Sequence, residues 1–132
     1  GYFAFPTPQR IAESSEEELA VLRAGYRTEY LLDAARCVAE GRIDLEEIAK
    51  LPLDEAAKKL QTIKGVGPKV AACILLYGFH RLDAFPIDVW IRRALDKFYP
   101  NGLCKEAYPW IGLAQQYLFH YIRTCEKVGL TP

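Results

Sequence analysis

Among the 132 residues there is no methionine, no net charge, and no apolar run near the roughly 20 residues that a membrane-spanning helix needs. Without such a run, and with no charged-then-apolar leader, neither membrane insertion nor secretion is expected. Seventeen basic residues balance seventeen acidic ones, so the bulk positive field that usually accompanies non-specific nucleic-acid binding is absent. Any contact with nucleic acid must then come from a local patch or from backbone donors. The missing methionine, in a chain that begins at Gly1, points to a processed product or an excised part of something longer.

Cysteine is also sparse. Cys37, Cys73, Cys104 and Cys125 are separated by 35, 30 and 20 residues, so none forms a CxxC pair or an iron–sulfur ligand run. His80 and His120 fall at no metal-ligand spacing from each other or from the thiols. Reduced thiols of an intracellular protein, three or four of them in or near the core, are the expectation.

What is present is apolar enough for one compact domain over residues 1–132: 51% of residues are hydrophobic and 12% aromatic. No stretch alternates apolar and polar with period two, and no internal repeat occurs. The expected class is all-α, with six or seven short helices. The first dozen residues, with Pro6 and Pro8, read as an extended entry segment. Ser14 with Glu17, or Ser15 with Glu18, has capping-box spacing for a first helix, and Gly25 is a natural stop. Helices are expected from about Thr28 to Ala39, ending at Gly41, and from Leu45 to Lys50 behind an Asp44 cap. Asp54 is placed to cap the next, from Glu55 to about Gln61. Pro68 opens one reaching Tyr77 or Gly78, Pro86 opens one reaching Phe98, and the last covers roughly Ala107 to Lys127.

The segment from Leu60 to Gly78 is the most informative. Gly65-Val66-Gly67 separates two helices too closely for an ordinary loop. Glycine at both positions permits positive φ and lets another backbone approach, with Val66 packed inward between them. The following helix begins at once, so its first N–H groups point outward beside a partial positive charge, a seat for phosphate. Lys58, Lys59, Lys64 and Lys69 lie here without an intervening acid between 58 and 69. A tight αα-hairpin whose glycines serve chain reversal alone is the plainer reading.

Lys69 stands in the first turn after Pro68, where a cation is disfavoured and the free amine, a nucleophile able to form a Schiff base, is favoured. Phe85-Pro86-Ile87-Asp88 places a carboxylate at the start of another helix. Taken singly, Lys69 is a surface lysine and Asp88 an ordinary helix-start acid.

Taken together, the order hairpin, Gly-Val-Gly-x-Lys, Pro-x-Asp resembles the helix–hairpin–helix–Gly/Pro–Asp superfamily of DNA glycosylases, and within it the 8-oxoguanine DNA glycosylase/AP lyases. Gly25-Tyr26-Arg27-Thr28-Glu29-Tyr30, Gly65 to Cys73, Phe85 to Trp90 and Ala114 to Phe119 carry the resemblance, which extends from Phe5-Pro6 to about Arg123. It implies excision of oxidised guanine from duplex DNA by a monomer without catalytic metal or iron–sulfur cluster, inside a bacterial cytoplasm or nucleoid or a nucleus. Lys69 matches the nucleophile that attacks the deoxyribose anomeric carbon and then supports strand cleavage through the imine. Asp88 matches the acid that stabilises the cationic sugar.

The resemblance further implies that the extruded base stacks on Phe119, with Cys73 on its other face and Gln115 reading its pairing edge. Tyr26 matches the wedge beside the opposite strand and Arg27 a contact to the orphaned cytosine. Lys64, Gly65, Val66 and Gly67 match the hairpin that clamps backbone phosphate, with a potassium or sodium ion on the backbone of Ile63 and Gly65. Read by themselves, Phe119 and Tyr26 are equally core aromatics, Gln115 a solvated helix residue and Cys73 packing.

Three departures stand out. Lys64 replaces the proline usual before the first glycine, and Trp90 stands where relatives often carry a histidine near a phosphate. The upstream β domain of relatives has no counterpart in these residues, so a fragment holding the chemistry is expected. A helix–hairpin–helix module that binds DNA without catalysis is the alternative.

Overall fold

The computed structural model of the 132-residue chain describes residues 1–127, and the side chains of all of these except 105 and 125–127. Every regular element among them is helical: α1 Pro8–Ala12, α2 Glu16–Leu19, α3 Arg27–Ala39, α4 Leu45–Lys50, α5 Leu53–Leu60, α6 Pro68–Cys73, α7 Val89–Phe98 and α8 Ile111–Lys127. Short 3₁₀ turns at Ala20–Leu22 and Lys105–Trp110 extend α2 and precede α8. The all-α expectation holds. The described helices form two compact units, Gly1–Gly67 and Pro68–Pro132.

In the first unit, α1 and α2 pack on α3, and α4 packs on α5. Leu32, Cys37, Ile48 and Leu60 lie in its buried interior. The entry segment is not extended throughout. Thr7 caps α1 by accepting the Arg10 N–H at 3.2 Å, and Pro8 sits at the first helical position, where its missing N–H costs nothing. Of the two capping-box pairs, Ser15 and Glu18 make the reciprocal bonds. α3 ends at Gly41, whose φ of +72° closes the helix as expected. α5 begins at Leu53 rather than Glu55: Pro52 takes the cap position, and Asp54 lies in the first turn, where its charge still suits the helix dipole.

In the second unit, α7 and the 3₁₀ turn pack on α8. α6 gives way after Cys73 to a π-helical stretch, Ile74–Gly78, in which the Phe79 N–H reaches the Ile74 carbonyl at 3.3 Å. α7 starts at Val89, not Pro86, because the Asp88 side chain captures the N–H groups of Trp90 and Ile91 and so ends the extended approach. Gly112 fixes the start of α8. Its N–H donates to the Leu82 carbonyl at 2.8 Å, and a Cβ added there would stand 2.4 Å from Leu76 Cδ1 and 2.9 Å from the Ala84 carbonyl oxygen.

Candidate active site and nucleic-acid interface

The hairpin turn belongs to the first unit and is held by one face of α3. The Lys64 N–H donates to Asp33 Oδ2 at 2.8 Å, and the Lys64 ammonium pairs with Glu29. That hydrogen bond holds the Lys64 amine above its usual range. Within the turn, Val66 N–H closes onto the Ile63 carbonyl at 3.1 Å, and Val66 is half-buried.

The two hairpin glycines have different causes. Gly65 has φ +79°, and a Cβ there would fall 2.4 Å from Tyr30 Cδ2, so the Tyr30 ring occupies the space a side chain would need. Gly67 has no positive φ, and an added Cβ would meet nothing within 4 Å. Nothing described in the fold demands glycine at Gly67.

Tyr26 and Arg27, at the start of α3, are both exposed. The Arg27 guanidinium lies 4.6 Å from the Tyr26 ring centroid, and the Tyr26 ring meets Tyr30 edge-to-face at 5.9 Å. A continuous stack therefore runs from Arg27 through Tyr26 and Tyr30 to Gly65. Tyr30 and Asp33, which sequence reasoning did not single out, are its middle; their i, i+3 spacing on α3 was the available signal.

The basic cluster is weaker than its sequence suggested. Lys59 pairs with Glu47 and Lys64 with Glu29, acids supplied by other helices. Lys58 and Lys69 have no ion-pair partner among the described residues.

Lys69 is exposed in the first turn of α6, with its amine unpartnered among the described residues. Asp88 is half-buried at the start of α7, in an extended conformation. One oxygen, Oδ1, accepts both the Trp90 N–H at 3.0 Å and the Ile91 N–H at 2.8 Å, which leaves Oδ2 without a donor among the described residues. No ion pair or hydrogen bond joins Lys69 to Asp88. Two backbone donors fix the orientation of this carboxylate, an arrangement able to face a cation through the second oxygen. Trp90 is half-buried, with the Arg93 guanidinium 5.2 Å from its ring.

Gln115 is not a solvated helix residue. It is 4% exposed, and its Nε2 donates to the Pro86 carbonyl at 3.0 Å, tying α8 to the corner that carries Asp88. Its Oε1 accepts from Gln116 Nε2, and Gln116 also meets the Tyr77 hydroxyl at 2.6 Å. Phe119 is half-buried, with Arg123 5.4 Å from its ring. It shares a cavity of ≈ 350 Å³ with Gln116, His120, Arg123 and Thr124. Cys73 is half-buried at the end of α6, next to the π-helical stretch that bears Tyr77.

Of the other thiols, Cys37 meets expectation and Cys104 departs from it. Cys37 is buried, and burial, reinforced by the Asp33 charge, pushes its thiol up. Cys104 is exposed rather than core, and the Cys125 side chain lies outside the described residues. Among the described residues no cluster of His, Cys, Asp and Glu is arranged to hold a metal ion, and no helix is long and apolar enough to cross a membrane.

No family model matches the chain. It is 43% identical over 90 residues to the probable N-glycosylase/DNA lyase of Methanothermobacter thermautotrophicus, a match taking in 68% of this chain and 28% of that protein. Among solved structures, MBOgg1 in complex with a low-affinity DNA ligand matches with a TM-score of 0.81 at 38% identity, over 95% of this chain and 47% of that one. The 8-oxoguanine glycosylase/lyase of Clostridium acetobutylicum, bound to double-stranded DNA with cytosine opposite 8-oxoguanine, matches with a TM-score of 0.80 at 35% identity, again over 95% and 47%. The chain spans less than half the length of each of these relatives.

Proposed function

Because the chain belongs to the helix–hairpin–helix–Gly/Pro–Asp superfamily of DNA glycosylases, we propose that it carries the chemistry of a DNA N-glycosylase and AP lyase acting on oxidised guanine in duplex DNA. The observation carrying this reading is the Asp88 carboxylate, pinned through one oxygen and open at the other, in a chain that also presents an unpaired Lys69 amine at a helix start.

In the proposed reaction the target nucleotide is extruded from the helix and its base stacks at Phe119. The Lys69 amine attacks the anomeric carbon, the bond to the base breaks, and the base leaves with a proton. Positive charge on the sugar is greatest in this transition state, which is where a fixed Asp88 carboxylate acts. The resulting imine acidifies the neighbouring sugar carbon, and loss of that proton expels the 3′ phosphate. Gly67 gives a phosphate room to approach the start of α6, and Tyr26 with Arg27 meets the opposite strand. A potassium or sodium ion on the carbonyls of Ile63 and Gly65 would support that phosphate contact; the Ile63 carbonyl, already accepting from Val66, keeps a second lone pair for it. The protein works as a monomer, and DNA as substrate sets its place inside the cell.

Borohydride trapping tests this reading. Wild-type protein is expected to form a covalent complex with DNA bearing a preformed abasic site and with 8-oxoguanine DNA, and Lys69→Gln is expected to form neither. Salt-sensitive binding that ignores the lesion, with no trapping and no response to Lys69→Gln or Asp88→Asn, would instead establish a non-catalytic hairpin module.

A further inference from the structure

The thirteen-residue α3 starts behind Tyr26 without a side-chain cap. The N–H groups of Gly25 and Tyr26, just before it, find no acceptor among the described residues. The positive end of the helix dipole is therefore left open by the fold. A second observation lies two residues into the helix. Thr28 is 8% exposed, yet its hydroxyl makes no hydrogen bond among the described residues. No fully sealed side-chain oxygen or nitrogen among them lacks a partner, so this hydroxyl opens to solvent. Thr28 lines a cavity of ≈ 400 Å³ together with Gly25, Arg23 and Glu16. Side chains in a first turn lean toward the helix N-terminus, which carries the hydroxyl into that cavity.

Arg23 supplies the charge. It is exposed, has no ion-pair partner among the described residues, and holds φ at +51°, in the left-handed region. Glycine suits that backbone better, so an arginine stands here against local preference. Glu16 is the one carboxylate in the cavity lining, and it forms no ion pair with Arg23. A guanidinium, a hydroxyl and a helix start favour an anion, while the carboxylate beside them disfavours a doubly charged one. A phosphodiester, with a single charge shared by two oxygens, meets both conditions.

We propose that this cavity seats a backbone phosphodiester of the DNA strand opposite the lesion, held by the Arg23 guanidinium and the Thr28 hydroxyl. The inference rests on the glycosylase/lyase reading above, in which Tyr26 and Arg27 meet that strand. Those two residues open the same helix, so a phosphate seated beside Thr28 sets their register on the duplex. Contacts to phosphate position a protein on DNA, and contacts to bases specify. Arg23 and Thr28 therefore act on damaged and undamaged duplexes alike.

The test uses duplexes bearing a reduced abasic-site analogue, each with one uncharged methylphosphonate at a different position of either strand. Binding is read by fluorescence anisotropy, and borohydride trapping at an unreduced abasic site is run in parallel. Arg23→Gly relieves the left-handed backbone, so it is expected to keep the unfolding midpoint at or above that of wild type. It is expected to raise the Kd for the all-phosphate duplex about 5-fold. Thr28→Val, which keeps the side-chain shape, is expected to raise it about 3-fold, and Glu16→Gln to lower it about 2-fold. At one position of the intact strand, the methylphosphonate should weaken wild-type binding about 5-fold and leave Arg23→Gly unaffected. An Arg23→Gly variant that binds like wild type overturns the inference. So does a loss that persists at every methylphosphonate position, or one that is cancelled only on the lesion strand. Wild-type protein that binds with this coupling but never traps overturns the lyase reading and upholds the phosphate seat.

Discussion

At the scale of single residues, the two hairpin glycines separate structure from function. Gly65 is required by the fold, because its φ is +79° and the Tyr30 ring fills the space of a side chain. Gly67 is not, since a methyl group there would meet nothing within 4 Å. Gly65→Ala is therefore expected to cost about 2–4 kcal/mol in chemical denaturation, the left-handed backbone cost plus that of overpacking. Gly67→Ala is expected to leave the unfolding midpoint unchanged and yet weaken duplex binding about 10-fold in fluorescence anisotropy. If Gly67→Ala binds DNA as well as wild type, no phosphate approaches the backbone there. The sequence shows both glycines and offers no means of dividing their roles, because Tyr30 lies 35 positions away. The positions of Lys69 and Asp88 at helix starts were legible for a different reason: a proline stands one or two residues before each, a local signal. The tie from Gln115 to the Pro86 carbonyl was not, since only folding brings the two together.

At the scale of elements, α3 is the organising helix of the first unit. Its first turn presents Tyr26 and Arg27, and Glu29, Tyr30 and Asp33 grip the hairpin turn. The proposed wedge and the proposed phosphate clamp are thus set by one rigid rod. Asp33 carries the backbone part of that grip and also receives the Cys37 thiol at 3.7 Å. Asp33→Ala is expected to cost about 1–2 kcal/mol by urea denaturation, the scale of a lost hydrogen bond to a charged acceptor. It should also raise the Kd for duplex DNA. Asp33→Asn keeps an oxygen for the Lys64 N–H and should recover most of both losses. Equal effects of the two variants would assign the role to charge and not to the turn. Helices bounded by local chemistry were read correctly from sequence, as with α4 between Asp44 and Lys50. Boundaries set by competition were not: two helices expected to start on a proline or acid begin elsewhere, because Asp88 outcompetes Pro86 as a cap and Pro52 outcompetes Asp54. The π-helical stretch after Cys73 has no sequence signature, yet it is what delivers Tyr77 to Gln116.

At the scale of the whole molecule, charge is the quantity that decides how DNA would be held. Seventeen basic residues face seventeen acidic ones, and folding removes part of what the local lysine cluster seemed to offer. Lys59 and Lys64 are matched by Glu47 and Glu29, and Arg42 by Glu40. Of the cations named for the proposed interface, Arg27, Lys58 and Lys69 have no ion pair among the described residues, and uncharged backbone donors stand at a helix start. Counterion release scales with the number of phosphates neutralised by cations, and backbone N–H groups release none. The logarithm of duplex affinity against the logarithm of salt should therefore fall with a slope of about −2 to −3, near 0.9 per neutralised phosphate. Anisotropy titrations between 50 and 200 mM KCl read this slope directly, on undamaged and 8-oxoguanine duplexes alike. Lys58→Gln should flatten it by about one unit, whereas Lys64→Gln, whose partner is Glu29, should leave it within half a unit of wild type. A slope of −6 or steeper would require a broader basic face than Arg27, Lys58 and Lys69 supply. It would move the source of affinity from the hairpin and its helix start to a diffuse electrostatic surface.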